Sequence, residues 1–465
     1  MCGFGWVRRL AACLAFLSPF AFASSIGAQG GAILSEPVSY TNVIDAFDVG
    51  DVFDVHLHLG YRRSHHFALI ERELTGFSGG VGHSLGKIAN YELERNELLL
   101  GIEVGLFHDF AAFAELPLIL SDDRLLRPHH EFQPEYLEFR GEPLFELSGF
   151  GLRSPTRSGV DSIRFGLAWS PLNQYRMAGW PTWTLIVEGR FNIGNPLRAC
   201  HQHREGLRCQ GQMGEVVQPS DPGIGEGLIM FRAESRASYR TGWLEPYGGL
   251  GIEFGWPDRA KQLFVQDGLP GYINRNPPTV LHFAVGLGVI PWEDRGHFQR
   301  LAIDLRFLCD FLSEGRGYGP LYDALGSSSH PALFQPVLEA DSVESTAEKS
   351  PARVPFTGIT DIQAHGRLGV QLGLDLRVAR YVQFGLFLRA LHLTPHFITY
   401  AAPCRSVPQS QVGDPGRLVD CHLPPPGEAF IFNPHHRFAI DAPGHRFRAS
   451  DQWELGLWAL AIAMF

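Results

Sequence analysis

Read as apolar and polar positions, the chain repeats one pattern, an alternation of period two in runs of about ten residues. In "DVFDVHLHLGYR" one face carries Phe53, Val55, Leu57, Leu59 and Tyr61, and the other carries Asp54, His56, His58 and Gly60. In "RLGVQLGLDLRVAR" Leu368, Val370, Leu372, Leu374, Leu376 and Val378 alternate with Arg367, Gly369, Gln371, Gly373, Asp375 and Arg377. Twelve such segments lie near 51–62, 95–107, 109–119, 160–170, 181–193, 228–240, 243–255, 279–291, 298–309, 361–379, 380–394 and 451–465. Each reads as a strand with one apolar face.

The connections between the segments alternate too. Tight ones fall at 108–109, 170–180, 241–242, 292–297 and 379–381. Long ones, rich in Gly, Pro and His, fall near 63–94, 120–159, 194–227, 256–278, 310–360 and 395–450. An exported soluble sandwich has no need of this regularity. A transmembrane barrel has, because its turns are short on one side, its loops long on the other and its strand number even. The prediction is therefore all-β: an antiparallel up-and-down β-barrel of about twelve strands, with short periplasmic turns and long extracellular loops. Its apolar face meets lipid and its polar face lines the lumen. Tyr61, Trp169, Trp183, Tyr239 and Trp243 stand near strand ends, where interfacial aromatic girdles belong.

The front of the chain fits an exported protein. "MCGFGWVRRLAACLAFLSPFAFA" has a short charged start with Arg8 and Arg9, an apolar run from Leu10, and an Ala-x-Ala end at Ala21–Ala23. That order predicts a signal peptide over 1–23, too short and wrongly flanked for a membrane helix. Residues 24–50 are then an N-terminal periplasmic segment, and 51–465 form the barrel. The formal net charge of −10, made more negative by loss of Arg8 and Arg9, argues against a nucleic-acid partner. Export permits disulfides, and two local pairs are candidates: Cys200/Cys209 and Cys404/Cys421.

"LLLGIEVGLFHDFAAFAELPLIL" is strand, two-residue turn, strand; "VDSIRFGLAWSPLNQ" followed by "WTLIVEGRFNIG" repeats the form. These hairpins resemble those of Gram-negative outer-membrane β-barrel proteins, in particular porin-like and transporter-like barrels. The chain's end, "QWELGLWALAIAMF", is similar to the strand that this family's insertion machinery reads, with Glu454, Gly456 and the terminal Phe465 in the matching places. The resemblance implies an outer-membrane location, with lipid and the insertion machinery as partners; no cofactor is expected.

Chemistry is expected on the inward face. Its lumen-lining candidates are Asp54, His56 and His58 on the first strand, Arg164 on the fourth, Glu188 and Arg190 on the fifth, and Arg232, Glu234 and Arg236 on the sixth. Asp304 and Arg306, Asp375 and Arg377, and Arg389 follow on later strands. Acids and arginines balance, so strong charge selectivity is not expected. Two outcomes stay open: the charges polarise a water-filled constriction, or they pair and fill the lumen. Twelve strands lie between the filled eight-stranded and the open sixteen-stranded cases. His56 and His58 sit at metal-ligand spacing with Asp54 nearby, but in a chain with 20 histidines they are read as wall residues, and no metal is expected. Ser235 is the polar exception on the outward face, without a histidine on a lipid-facing position beside it, so an enzyme is not expected. The function read from the sequence is passage of an unknown small solute through the lumen. The alternative is a closed barrel that presents its loops for binding or adhesion. Trp458, Leu460, Ile462 and Met464 place apolar groups on the lumen side of the last strand, so its periplasmic end is expected to be narrow or covered.

Overall fold

The computed structural model describes residues 37, 39–44, 46–48, 51–74, 84–203, 206–210, 216–217, 222–265, 271–334, 356–408 and 428–465. The signal-peptide region and Cys421 lie outside these residues.

All twelve predicted segments are strands of one closed barrel. They are β1 (Val55–Leu74), β2 (Ser84–Phe107), β3 (Phe110–Pro128), β4 (Ser162–Leu172), β5 (Thr182–Asn192) and β6 (Leu228–Ser238). Then come β7 (Leu244–Pro257), β8 (Val280–Asp294), β9 (Gln299–Leu312), β10 (His365–Ala379), β11 (Val382–Leu393) and β12 (Phe447–Met464). Each runs antiparallel to its neighbour in sequence, and β12 closes the ring against β1 from Phe447↔Arg72 to Met464↔His56. Val55 and Phe465 exchange backbone hydrogen bonds at 3.0 and 2.9 Å, which seals that seam at the short-turn end.

The outward positions form an apolar belt. Leu57, Leu59, Leu100, Phe165, Leu167, Val187, Leu250, Phe307, Leu368, Leu372, Leu388 and Leu455 are all exposed. Such a continuous apolar surface on a closed wall is unfavourable in water and suits hydrocarbon, where closure also satisfies every backbone group of the wall. The fold is that of a membrane-spanning β-barrel. Trp169, Trp183, Trp243, Trp292 and Tyr381 are exposed towards the short-turn end, and Tyr61, Trp256 and Trp453 towards the other, as two girdles. Tyr239 is only half-exposed.

Three expectations need correction. The stretch 63–94 is not a long loop: β1 and β2 continue to Leu74 and from Ser84, and β3 likewise runs on to Pro128. At 20, 24 and 19 residues these strands greatly exceed the 9–11 needed to cross a bilayer. Above the belt the alternation persists with its phase of polarity inverted. Arg63, Glu92, Glu94 and Arg127 now point outward and pair with one another, Arg63 with Glu94 at 2.6 Å and Arg127 with Glu92 at 3.3 Å. Ala68, Ile70, Ala89, Tyr91 and Leu126 turn inward and are buried. Water has replaced lipid outside, so the ordinary soluble rule returns. Finally, the barrel begins at Val55: Asp51–Phe53 pairs instead with Ala46–Asp48 in a separate small hairpin.

The long connections fold over this tall part of the wall. Leu137, Leu144, Leu325, Leu333, Phe356 and Ile440 from three different loops join Ile70, Ile88, Tyr91, Phe447 and Ala449 in one apolar core. Cys200 and Cys209 are disulfide-bonded, as expected, and are direct partners in the hairpin Cys200–His203/Gly206–Gln210. Cys404 is also disulfide-bonded.

Candidate functional site

The charged side chains opposite the apolar belt pair along the wall. Arg62 Nε donates to Glu97 at 2.6 Å between β1 and β2. Arg164 meets Glu115 at 3.0 Å between β4 and β3, and Arg389 meets Glu454 at 2.5 Å between β11 and β12. Asp310 accepts from Arg367 at 3.0 Å and contacts His282 at 2.9 Å, across both of its neighbouring strands. Within β6, Glu234 lies between Arg232 and Arg236 and pairs with both. In β9 Arg306 donates to Asp304 at 3.1 Å. These partners sit on the same or adjacent strands, so the pairs satisfy the wall without bridging the lumen's diameter. Cross-strand register decides this: arginine and carboxylate on one face are neighbours at side-chain distance.

The remaining candidates fall around this ladder. Glu188 is the direct strand partner of Arg232, and Arg190 that of Arg164. Arg190 reaches out to Glu226 at 3.3 Å, near the long-loop end. Arg377 donates to the Arg380 carbonyl at the tight turn, at 3.0 Å. Asp54 lies just before β1, where its carbonyl accepts from Gly105 N at 2.9 Å. His56 and His58 are on the inward face, and His58 Nε2 lies 3.6 Å from Glu103. On the outward face, Ser235 accepts from Trp183 Nε1 at 2.9 Å, so its hydroxyl is part of the girdle. Glu454 of the C-terminal pattern faces the lumen, Gly456 is buried beside Trp458, and Phe465 is exposed at the chain's end.

The feature that sequence reading placed only loosely is the stretch before the barrel. Pro37 and Ser39–Ile44 thread the lumen at the short-turn end. Pro37 O accepts from Arg300 at 3.4 Å, and Ser39 Oγ donates to Asp375 at 3.1 Å, against β9 and β10. Tyr40 O accepts from Arg236 at 3.0 Å. Thr41 bonds to Ser238 at 2.8 Å, and its carbonyl accepts from Thr184 at 2.8 Å. Val43 and Ile44 then pack against Ala111, Ala168 and the partly buried Ile186 on β3, β4 and β5. β10 and β4 are half a circuit apart in the ring, so the segment crosses the lumen.

Tyr40 is its anchor. Its ring lies 4.7 Å from that of Tyr247, with the guanidinium groups of Arg306 and Arg236 at 4.3 and 4.6 Å from its centroid. Arg306 also donates to the Tyr247 hydroxyl at 3.0 Å, and that hydroxyl donates to Asp304. Gly249 makes the space: a Cβ there would stand 2.2 Å from the Tyr40 hydroxyl. The run "GGLGIEFG" gave a hint of this, since small residues at inward positions leave room for something that is not wall. The apolar stripe of β12 is a different matter. The stretch before Asp51 does enter the lumen, but the contacts of Pro37 and Ser39–Ile44 run from β3 to β10, while Trp458 lies under the Arg389 guanidinium at 4.7 Å.

At the long-loop end the loops are tied to one another and to the wall by buried charge. Asp323 accepts from Arg157 at 2.7 Å, Ser154 at 2.7 Å and Cys200 N at 2.9 Å, tying three loops together. Arg72 donates to the carbonyls of Tyr136 and Ala439, at 2.8 and 3.0 Å. Burial pushes the Asp441 carboxyl up to about 7 and the His396 imidazole down to about 4.

No protein-family model and no curated protein matches the sequence. Among solved structures, the chain is similar to a Pseudomonas aeruginosa FadL homologue, with 9% identity, a TM-score of 0.30, and coverage of 89% of this chain and 90% of that one. It is also similar to the beta domain of the Bordetella autotransporter BrkA, at 10% identity and TM-score 0.32, over 87% and 99% of the two chains. The Escherichia coli outer-membrane protease OmpT gives 8% identity and TM-score 0.26, over 89% and 96%. At these scores the likeness carries no weight for this chain, and its fold rests on its own strand pairing.

Proposed function

We propose that this protein is an outer-membrane channel or transporter for small solutes whose resting state is closed. The observation that carries this reading is the segment 37–44. It crosses the lumen but holds to the wall through side-chain hydrogen bonds and stacking, so it can leave without breaking one bond of the barrel's ladder. The wall behind it supports the same reading, because its ion pairs run between neighbours and leave a polar surface around the axis. The short-turn end is then periplasmic, the long loops extracellular, and lipid covers the apolar belt. Glu454, Gly456 and Phe465 serve recognition by the insertion machinery. The solute passes Arg236, Arg306, Asp304 and Asp375 once the segment is displaced.

The test is conductance in planar bilayers. A protein lacking residues 24–44 is expected to give discrete, long-lived openings that the complete mature chain gives rarely. Heat-modifiable migration on gels checks that the truncated barrel is folded. If the folded, truncated barrel stays silent, the channel reading fails. The reading then favoured is a closed barrel presenting its loops, for which the buried core beneath those loops is the supporting observation.

A further inference from the structure

We infer that His56, His58 and Glu103 form a binding site for one divalent transition-metal ion in the wall at the short-turn mouth of the lumen. The two histidines are two residues apart on β1, so both imidazoles project from the same face. Glu103 stands on β2 as the direct strand partner of His56. The potential ligand atoms of the three residues all lie within 4.8 Å of one another. His58 Nε2 and Glu103 Oε2 are already 3.6 Å apart. Two ligands of a tetrahedral ion with bonds of about 2.1 Å are separated by about 3.4 Å, so rotamer adjustments alone complete the site.

A second observation points the same way. The His58 Nε2 atom is buried and makes no hydrogen bond among the described residues. A buried polar atom without a hydrogen bond is unfavourable, and a ligand is one of the things that satisfies it. Gly101, the strand partner of His58, gives the ring its place: a Cβ at 101 would stand 3.1 Å from the Cβ of His58. Glu103, not Asp54, is thus the carboxylate that the fold supplies, a pairing that only cross-strand register reveals.

The donor set states which ion fits. Two imidazole nitrogens and one carboxylate suit Zn²⁺, Co²⁺, Ni²⁺ or Cu²⁺, whereas Ca²⁺ and Mg²⁺ require oxygen shells. Three protein ligands leave at least one coordination position, directed into the lumen. The other histidine cluster, His129, His130 and Glu131, differs. It is largely exposed, its carboxylate is held by Lys87 at 3.1 Å, and His129 Nδ1 accepts from Glu131 N at 3.2 Å. A cation and a backbone donor already occupy its ligand atoms.

The experiment is Co²⁺ titration of the refolded, chelator-stripped full mature chain, read by the cobalt d–d absorption. One Co²⁺ per chain is expected. His58→Ala and Glu103→Gln are each expected to weaken it by about tenfold or more, while the double variant His129→Ala/His130→Ala leaves it unchanged. Zn²⁺ is expected to displace the cobalt signal. Heat-modifiable migration confirms that each variant is a folded barrel. No cobalt signal in the parent chain, undiminished binding in folded His58→Ala and Glu103→Gln, or loss of the signal in the His129/His130 variant would overturn the assignment. The outcome is independent of whether the lumen conducts.

Discussion

At the long-loop end, Ile70, Leu144, Leu333 and Ile440 are completely buried, and the charges among them, Arg72, Asp323 and Arg437, are each held by several partners. At the short-turn end, six residues from Ser39 to Ile44 fill the opening, and most of what holds them is single hydrogen bonds and the faces of two tyrosines and two arginines. The first region resembles the core of a small soluble domain, in which three loops depend on each other. The second resembles a bound ligand that happens to be covalently attached. Large buried area and shared charge make the cap cooperative; separate, individually modest contacts make the segment releasable.

That difference can be broken from either side. The largest effect is expected from Asp323→Ala, which leaves Arg157 buried without its counter-charge. Cap stability should fall by about 3–5 kcal/mol, read as faster hydrogen exchange in the Cys200–Gln210 hairpin and the Tyr322–Gly326 turn. Exchange in residues 39–44 should not change; if it rises equally, the two regions are one unit and the comparison is wrong.

A pH series should separate them next. His396, buried and stacked on His365 at 3.6 Å, titrates near 4 in the fold, against about 6.5 in an unfolded chain. Its contribution is therefore complete above about 6.5 and is lost as pH falls towards 4. Burial depresses His435 and His436 as well, in the same sense. Asp441 runs oppositely: with its carboxyl raised to about 7, it penalises the cap at neutral pH, and the penalty fades as pH falls from 7 towards 4. His365 is depressed like these three histidines and Asp361 is raised like Asp441, so four histidines stand against two carboxyls; the Phe438–Asp441 turn should exchange faster on acidification, and Asp441→Asn should steepen the change. Ser39–Ile44 contributes no group that titrates in this range. An acid response of that segment ahead of the cap would contradict the scheme.

The smallest effect belongs to Thr184→Val. It removes the hydrogen bond to the Thr41 carbonyl, worth about 0.5–1.5 kcal/mol, and a longer one to the Ser170 hydroxyl at 3.3 Å. The expected reading is a modest rise in exchange of residues 40–44, and more frequent openings in bilayers, with the cap unaltered. A fall in cap stability would show that Thr184 serves the wall rather than the segment.

Much of this architecture is written in the chain at short range. Twelve alternating segments follow from a period of two and a lipid surround, and the same period sets Arg164, Glu188, Arg232, Glu234, Arg236, Asp304, Arg306, Asp375 and Arg389 opposite the apolar positions of their strands. Alternation is a local property: each side chain's face is set by its own backbone and needs no distant partner. The limit of that legibility shows at 63–74 and 84–94, where "RSHHFALIEREL" reads as loop because its outward face opens with the polar Arg63 and His65. The backbone is strand, but the solvent outside has changed from lipid to water, and no local signal marks the height at which that happens.

Partnership was decided only by the tertiary structure. Glu103 rather than Asp54 stands beside His56 and His58 because β2 pairs with β1 in one register out of several that the pattern allows. Arg367 and His282 share Asp310 because β8, β9 and β10 lie side by side. Tyr40 finds Tyr247, Arg236 and Arg306 across 196 to 266 positions of sequence only because the ring has closed around the segment. Period and composition tell a residue which way to face; what it meets there depends on register, closure and the return of the chain, and these are properties of the whole barrel.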